Sequence, residues 1–147
     1  MGAEENKVQK EIMDYFNKPY SMIYKSQACA DFPYIKNSKA FRINSKGIRG
    51  RKSTLPLGFS DVLVIITVSG GIALPLFIEV KAPGKKCTNK DQLDFIKDMN
   101  SMGCFAVWVN NIDDLKDGLR KWIFDLFVRA AEKKEQPKSI TSLAKQN

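Results

Sequence analysis

The densest hydrophobic patterning lies between residues 61 and 80. Asp61-Val62-Leu63-Val64-Ile65-Ile66-Thr67-Val68 and Ala73-Leu74-Pro75-Leu76-Phe77-Ile78-Glu79-Val80 are apolar and rich in branched residues, and Ser69-Gly70-Gly71 separates them. That combination predicts a β-hairpin. Upstream, Val8, Ile12, Tyr15 and Phe16 recur at helical spacing over about residues 4 to 17, and Pro19 ends the run. Residues 20 to 45 read as two or three short strands. Downstream, Ala82-Pro83-Gly84 breaks the second hairpin strand, and Thr88 or Asn89 can cap a helix carrying Gln92, Leu93, Phe95, Ile96 and Met99 that ends at Gly103. The run from Cys104 to Val109 is then a buried strand. Strand, helix and strand in that order predict a parallel crossover, expected to be right-handed. Asn111 or Asp113 opens a last helix whose Leu115, Leu119, Trp122, Ile123, Leu126 and Phe127 form a wide apolar stripe. This stripe reads as core, with Trp122 and Phe127 also available to a dimer contact. The predicted fold class is α/β, one domain over residues 1–130 with a mixed sheet and flanking helices. Residues 131–147, rich in Lys, Gln and Ser, lack apolar pattern and are expected to be disordered.

Composition narrows the chemistry. A chain of 147 residues with 44% hydrophobic and 27% charged residues suits one folded domain with a real core. No apolar run approaches a membrane span and the N-terminus lacks a signal-peptide core, so the expected location is the cytoplasm of a bacterial or phage-infected cell. Cys29, Cys87 and Cys104 match no zinc or redox spacing and are expected as free thiols, Cys104 as a small buried hydrophobe. The chain contains no histidine. Histidine-based triads, general bases and metal sites are thereby excluded, and any hydrolysis must use carboxylates, lysine and a metal.

Register decides whether such a site can form. If the turn centres on Gly70, Asp61 and Glu79 lie directly opposite each other, on one face, with Cβ atoms roughly 4.5 to 5.5 Å apart. Lys81, two residues past Glu79, projects to the same side. Two carboxylates that close repel unless they share a proton or a cation. With an ammonium beside them, they make a hard-oxygen pocket suited to Mg²⁺ and a phosphate. A two-residue Gly70-Gly71 turn would instead pair Asp61 with Val80 and send the carboxylates to opposite faces. Acid-x-Lys at a strand end also occurs simply as a solvated terminus with a surface ion pair.

The net charge of +8 is unevenly placed. Lys36, Lys39, Arg42, Lys46, Arg49, Arg51 and Lys52 fall in one stretch without an acid, interleaved with Phe41, Gly47 and Gly50. Such a block suits a phosphate backbone, as a hairpin or loop lying along a groove, and equally fits a solvated basic loop.

A helix with a Glu, a hairpin carrying Asp and then Glu-x-Lys, a helix opening with Gln, and a further strand and helix resemble the restriction-endonuclease-like PD-(D/E)xK superfamily. More narrowly, Gly58-Phe59-Ser60-Asp61, Glu79-Val80-Lys81-Ala82-Pro83-Gly84, Gln92 and Gly103 resemble the virus-type replication-repair nuclease (VRR-NUC) domain, over nearly the whole chain to about residue 127. Phe59-Ser60 ahead of Asp61, and Pro75 in the second strand, depart from the usual pattern. The resemblance implies a Mg²⁺-dependent endonuclease, with Mn²⁺ as substitute, acting on branched DNA such as a four-way (Holliday) junction as a homodimer. By the same resemblance Asp61, Glu79 and the Val80 carbonyl would be metal ligands, Lys81 would position or activate the attacking water, and Gln92 would brace Lys81 or the phosphate. A first-helix acid would join them, Glu5 fitting better than Glu11 and having Glu4 beside it. Ser60, Lys85 and Lys86 would join the basic stretch in contacting DNA. Two other readings stay open: a flap, nick or duplex-specific nuclease of the same fold, and a non-catalytic nucleic-acid-binding module.

Overall fold

A computed structural model describes residues 2–44 and 54–134. The predicted hairpin forms its centre. Strands β2 (Val62–Val68) and β3 (Ile72–Val80) pair antiparallel from Val68 opposite Ile72 to Val62 opposite Ile78. Pro75 sits opposite Ile65 without a register shift. The connection is the three residues Ser69-Gly70-Gly71, in which Gly70 (φ 91°) and Gly71 (φ 76°) adopt the left-handed backbone that glycine tolerates without strain. An odd loop length keeps Gly70 at the centre, and the pairing thus has the register that brings Asp61 opposite Glu79.

The full sheet has the order β1-β2-β3-β4, with β1 (Ile35–Arg42) antiparallel to β2 and β4 (Phe105–Val109) parallel to β3. Alternation divides its faces. Val62, Val64, Ile66, Leu76, Ile78 and Val80 are wholly buried on one of them. Helix α1 (Ala3–Asn17) lies on that face, burying Val8, Ile12, Tyr15 and Phe16, and its C-terminal end is tied to the sheet. Ser38 Oγ donates to the Phe16 carbonyl at 2.7 Å, and the Asn17 side chain bonds both backbone groups of Ala40 at 2.7 and 3.0 Å. The opposite face meets α3 (Lys90–Ser101) through Phe59, Phe77 and Phe95, whose ring centroids lie 4.8 to 5.7 Å apart. Asn89 caps α3 by accepting from the Gln92 N–H at 3.1 Å.

Three expectations change. Within the stretch expected to hold two or three short strands, the described residues 20 to 44 hold a five-residue helix α2 (Gln27–Asp31) and one strand, because Ser26 caps the Cys29 N–H and draws the following residues into a helical turn. Cys104 is only partly covered, and the buried thiols are Cys29 and Cys87. Helix α4 (Ile112–Lys134), opened by Asn111 accepting from the Asp114 N–H at 2.8 Å, continues past residue 131. Leu115, Leu119 and Ile123 are buried along it, whereas Phe124, Phe127 and Val128 are exposed. The chain falls into two units, Met1–Leu115 with the sheet and the first three helices, and a second beginning at Lys116. The part of the proposed tail beyond residue 134 lies outside the described residues.

Gly58 has a positional role that its motif does not reveal. At φ 77° its backbone lies so close to the start of α3 that an added Cβ would meet the Asp91 carbonyl oxygen at 2.1 Å and the Gln92 nitrogen at 2.7 Å. Gly58→Ala therefore adds left-handed strain to a backbone clash and should lower unfolding free energy in urea by about 2 to 4 kcal/mol. A loss below about 0.5 kcal/mol would show that the loop before β2 does not fix α3.

Candidate active site

The end of the hairpin gathers Asp61, Glu79, Lys81 and Gln92 from three segments. Asp61 stands just before β2. Its carbonyl accepts from the Ile43 N–H at 2.8 Å and its Oδ2 accepts from the Val80 N–H at 2.9 Å, so one residue ties the ends of β1, β2 and β3 together. Glu79, opposite Trp108 of β4, is only 2% exposed. Its Oε1 accepts from Gln92 Nε2 at 2.8 Å and lies 3.4 Å from Lys81 Nζ. Lys81 Nζ in turn donates to Gln92 Oε1 at 2.8 Å, closing a three-membered ring of contacts. The Lys81 N–H donates to the Val109 carbonyl at 2.8 Å, which fixes its backbone on the parallel strand.

Gln92 thus holds the acid and the ammonium at once, its carbonyl facing Lys81 and its amide facing Glu79. The Cys87 thiol supplies a further donor to the same carbonyl oxygen at 3.5 Å, and burial pushes its pKa up, keeping it protonated. Neither Cys87 nor the Val80 N–H stands out in the sequence. Both act through backbone placement, and the thiol sits in a loop with no metal or redox spacing.

Burial, then the negative charge of Asp61, push the Glu79 carboxyl up to about 8, with Lys81 pulling the other way and outweighed. Glu79 Oε2 is buried without a hydrogen-bond partner. An orphaned acceptor beside a second carboxylate is where a proton or a hard cation would be most stabilised. Among the described residues no group of three or more His, Cys, Asp or Glu side chains is placed to hold a metal ion, so any cation here would draw on Asp61, Glu79, backbone oxygen and water.

The remaining candidates separate. Lys36, Lys39 and Arg42 are exposed on β1, an edge strand, and Lys39 and Phe41 pair with Ile65 and Leu63 on the face that carries Asp61. Lys85 and Lys86 are exposed on the loop between β3 and α3, which Asn110 anchors by donating to the Lys85 carbonyl at 2.8 Å. Ser60, expected at the DNA surface, is instead fully buried because it faces away from Asp61 into the protein, and its Oγ has no partner. Glu5 is half-buried in the first turn of α1, and among the described residues no hydrogen bond or ion pair joins it to Asp61, Glu79 or Lys81. Gln9, one turn later, is 2% exposed. Lys46, Arg49, Arg51 and Lys52 lie outside the described residues.

The chain matches no protein-family model, no curated protein and no solved structure in these comparisons. Among the described residues no helix is long and apolar enough to cross a membrane.

The raised Glu79 pKa has a thermodynamic consequence. The folded state holds this proton to about pH 8 while the unfolded chain releases it near 4.5, so its contribution is fully present below 4.5 and is lost as pH rises through 8. In EDTA the melting temperature should therefore fall between pH 5 and about 8.5, and Glu79→Gln should flatten that fall. A wild-type profile that is flat in EDTA would refute the electrostatic account.

Proposed function

We propose that this chain is a Mg²⁺-dependent structure-specific DNA endonuclease of the PD-(D/E)xK kind, close to the VRR-NUC type, that resolves four-way junctions as a homodimer. The observation that carries the reading is the convergence of Asp61, the buried Glu79 with its unpartnered Oε2, and Lys81 on one face at the end of the hairpin. The arrangement of a hairpin, a parallel strand reached through a helix, and helices against both faces supports it at the level of fold.

The residues present fit a hard divalent cation: Asp61 and Glu79 would hold it, with the Val80 carbonyl as third protein ligand. When bound, Mg²⁺ or Mn²⁺ supplies positive charge that offsets the phosphodiester and makes a water more acidic. The protein does the rest by placement. Asp61, tied to the Val80 N–H, and Glu79, tied to Gln92, present their carboxylates without the entropy loss of ordering them at the moment of reaction. Lys81, with its ammonium 3.4 Å from Glu79 Oε1, is the cation that would meet the phosphate at this site. Its ammonium, steered by Gln92, positions the attacking water and offsets charge that builds on the phosphoryl oxygens in the transition state. Lys39 and Arg42 on the adjoining edge, with Lys85 and Lys86 on the loop, offer phosphate contacts that position the duplex without reading sequence. A junction has two-fold symmetry, so paired cuts call for two such sites related by a two-fold axis.

The test is cleavage of an end-labelled immobile four-way junction against linear duplex of the same arms in Mg²⁺, with cuts mapped on all strands. The expected result is paired symmetric nicks on the junction and little cutting of duplex. Glu79→Ala and Lys81→Ala should each lower the rate by about 10³-fold, and Gln92→Ala by about 10- to 100-fold. Ca²⁺ should support DNA binding with little turnover. Equal cutting of both substrates would replace the resolvase reading with a general nuclease, and activity retained in Glu79→Ala would remove the site altogether.

A further inference from the structure

The stretch between α1 and α2 is not used by the site, yet it displays the most exposed apolar side chains of the described residues. Met22 is 106% and Ile23 85% exposed, flanked by Tyr20 at 56% and Tyr24 at 40%. They occupy a built turn. The Ser21 N–H donates to the Tyr24 carbonyl at 3.3 Å, and Ser21 Oγ accepts from the N–H groups of both Ile23 and Tyr24 at 3.2 Å. The Tyr20 and Tyr24 rings lie 6.1 Å apart at its base. Met22 and Ile23 are thereby held outward at a fixed tip, where water contact is unfavourable and burial in this chain is not available.

Charge indicates what meets that tip. Residues 18 to 30 contain Lys18 and Lys25 and no acid. The nearby Asp31 carboxylate is engaged by the Tyr15 hydroxyl at 2.8 Å and Gln27 Nε2 at 2.9 Å. Ile23, Tyr24 and Lys25 share a surface cavity of about 280 Å³ with Ile35 and Lys36, which places the turn beside the first residues of β1. From there the exposed Lys36, Lys39 and Arg42 lead along the edge strand toward the Asp61 end of the sheet. Seven residue steps of strand span roughly 23 Å, the length of about seven base pairs of duplex.

We propose that the Ser21–Tyr24 turn is a DNA wedge: Met22 and Ile23 enter an unstacked base step of branched DNA while Tyr20 and Tyr24 support the displaced bases and Lys25 and Lys36 hold the flanking phosphates. Apolar wedges of these residue types enter base steps where unstacking is cheap, and a branch point offers such steps already opened. The inference rests on the nuclease reading for the identity of the ligand. It adds that branch preference arises some seven base pairs from the scissile phosphate, at a place the carboxylate cluster does not touch.

The test compares the full-length wild type with Met22→Ser/Ile23→Ser, a pair of exposed positions whose change leaves the core intact, as circular dichroism would check. Binding of a fluorescein-labelled four-way junction and of linear duplex is read by anisotropy in Ca²⁺, with 2-aminopurine placed beside the branch point. Wild type should bind the junction more tightly and raise the 2-aminopurine fluorescence. The double variant should lose about tenfold in junction affinity and less than about threefold on duplex, and should lose the fluorescence rise. Unchanged junction binding and fluorescence, or an equal loss on both DNAs, would overturn the wedge. So would a defect confined to phosphatidylserine vesicles, which would assign the turn to a membrane surface. A wild type that shows the wedge signal without cutting in Mg²⁺ leaves the wedge standing and removes the nuclease, whereas normal cutting with an unaffected variant does the reverse.

Discussion

The pairing register of β2 and β3 is the constraint on which the rest depends. Because side chains alternate, one residue of slip would move every apolar residue of the buried face, from Val62 to Val80, to the other side and would separate Asp61 from Glu79. Six fully buried side chains on that face therefore enforce the same register that the carboxylates need. Burying a branched apolar side chain is worth roughly 1.5 to 3 kcal/mol. Hydrophobic burial on one face can in this way hold two acidic side chains together on the other, where burial and then the repulsion from Asp61 push the Glu79 carboxyl far from its ordinary value.

That repulsion is partly offset within the protein, and the offset is uneven. Glu79 Oε1 has both Gln92 and Lys81, while Oε2 has neither. Gln92 reaches Oε1 only because α3 starts where it does, with Asn89 capping its first turn and the Gly58 backbone packed against Asp91. The loop before β2 and the helix after β3 are thus one mechanical unit: the glycine that precedes the first carboxylate also sets the residue that braces the second. A buried polar network with one orphaned atom carries a free-energy cost unless a ligand completes it.

The hairpin and the first and third helices were legible in the sequence because each rests on a signal that no tertiary contact had to supply, whereas the sequence left the register open between a turn centred on Gly70 and a two-residue Gly70-Gly71 turn, and the structure has the first. Branched residues ran to either side of a glycine turn, helical spacing ended at Pro19, and an Asn stood three residues before Gln92. Asp61, Glu79 and Lys81 meet as a turn centred on Gly70 predicts, and Gln92 joins them where only the family resemblance placed it. What lay between Pro19 and Ile35 was not legible, since a short helix depends on the Ser26 cap, and sparse alternation there mimics strands. Ser60 misled because its neighbour in sequence is Asp61, yet alternation sends adjacent side chains to opposite sides. The outer face of α4 misled for a different reason: periodicity identifies an apolar stripe without saying how much of it is covered, and Phe124, which stands off the expected stripe, is as apolar as the residues within it.

The two ends of β1 then serve different physical purposes. At its C-terminal end the strand is anchored to the carboxylate cluster, through Ile43 donating to the Asp61 carbonyl, so geometry there is fixed by backbone bonds. At its N-terminal end Ile35 is buried but the register shifts between Ile35 and Asn37, and the turn bearing Met22 and Ile23 stands beside it. A shift of this kind locally unpairs the strand and increases its twist, re-aiming side chains at the sheet edge. Lys36 falls within the shifted segment, where its ammonium donates to the Pro33 carbonyl at 3.2 Å, whereas Lys39 lies beyond it in regular pairing with Ile65, on the face that carries Asp61.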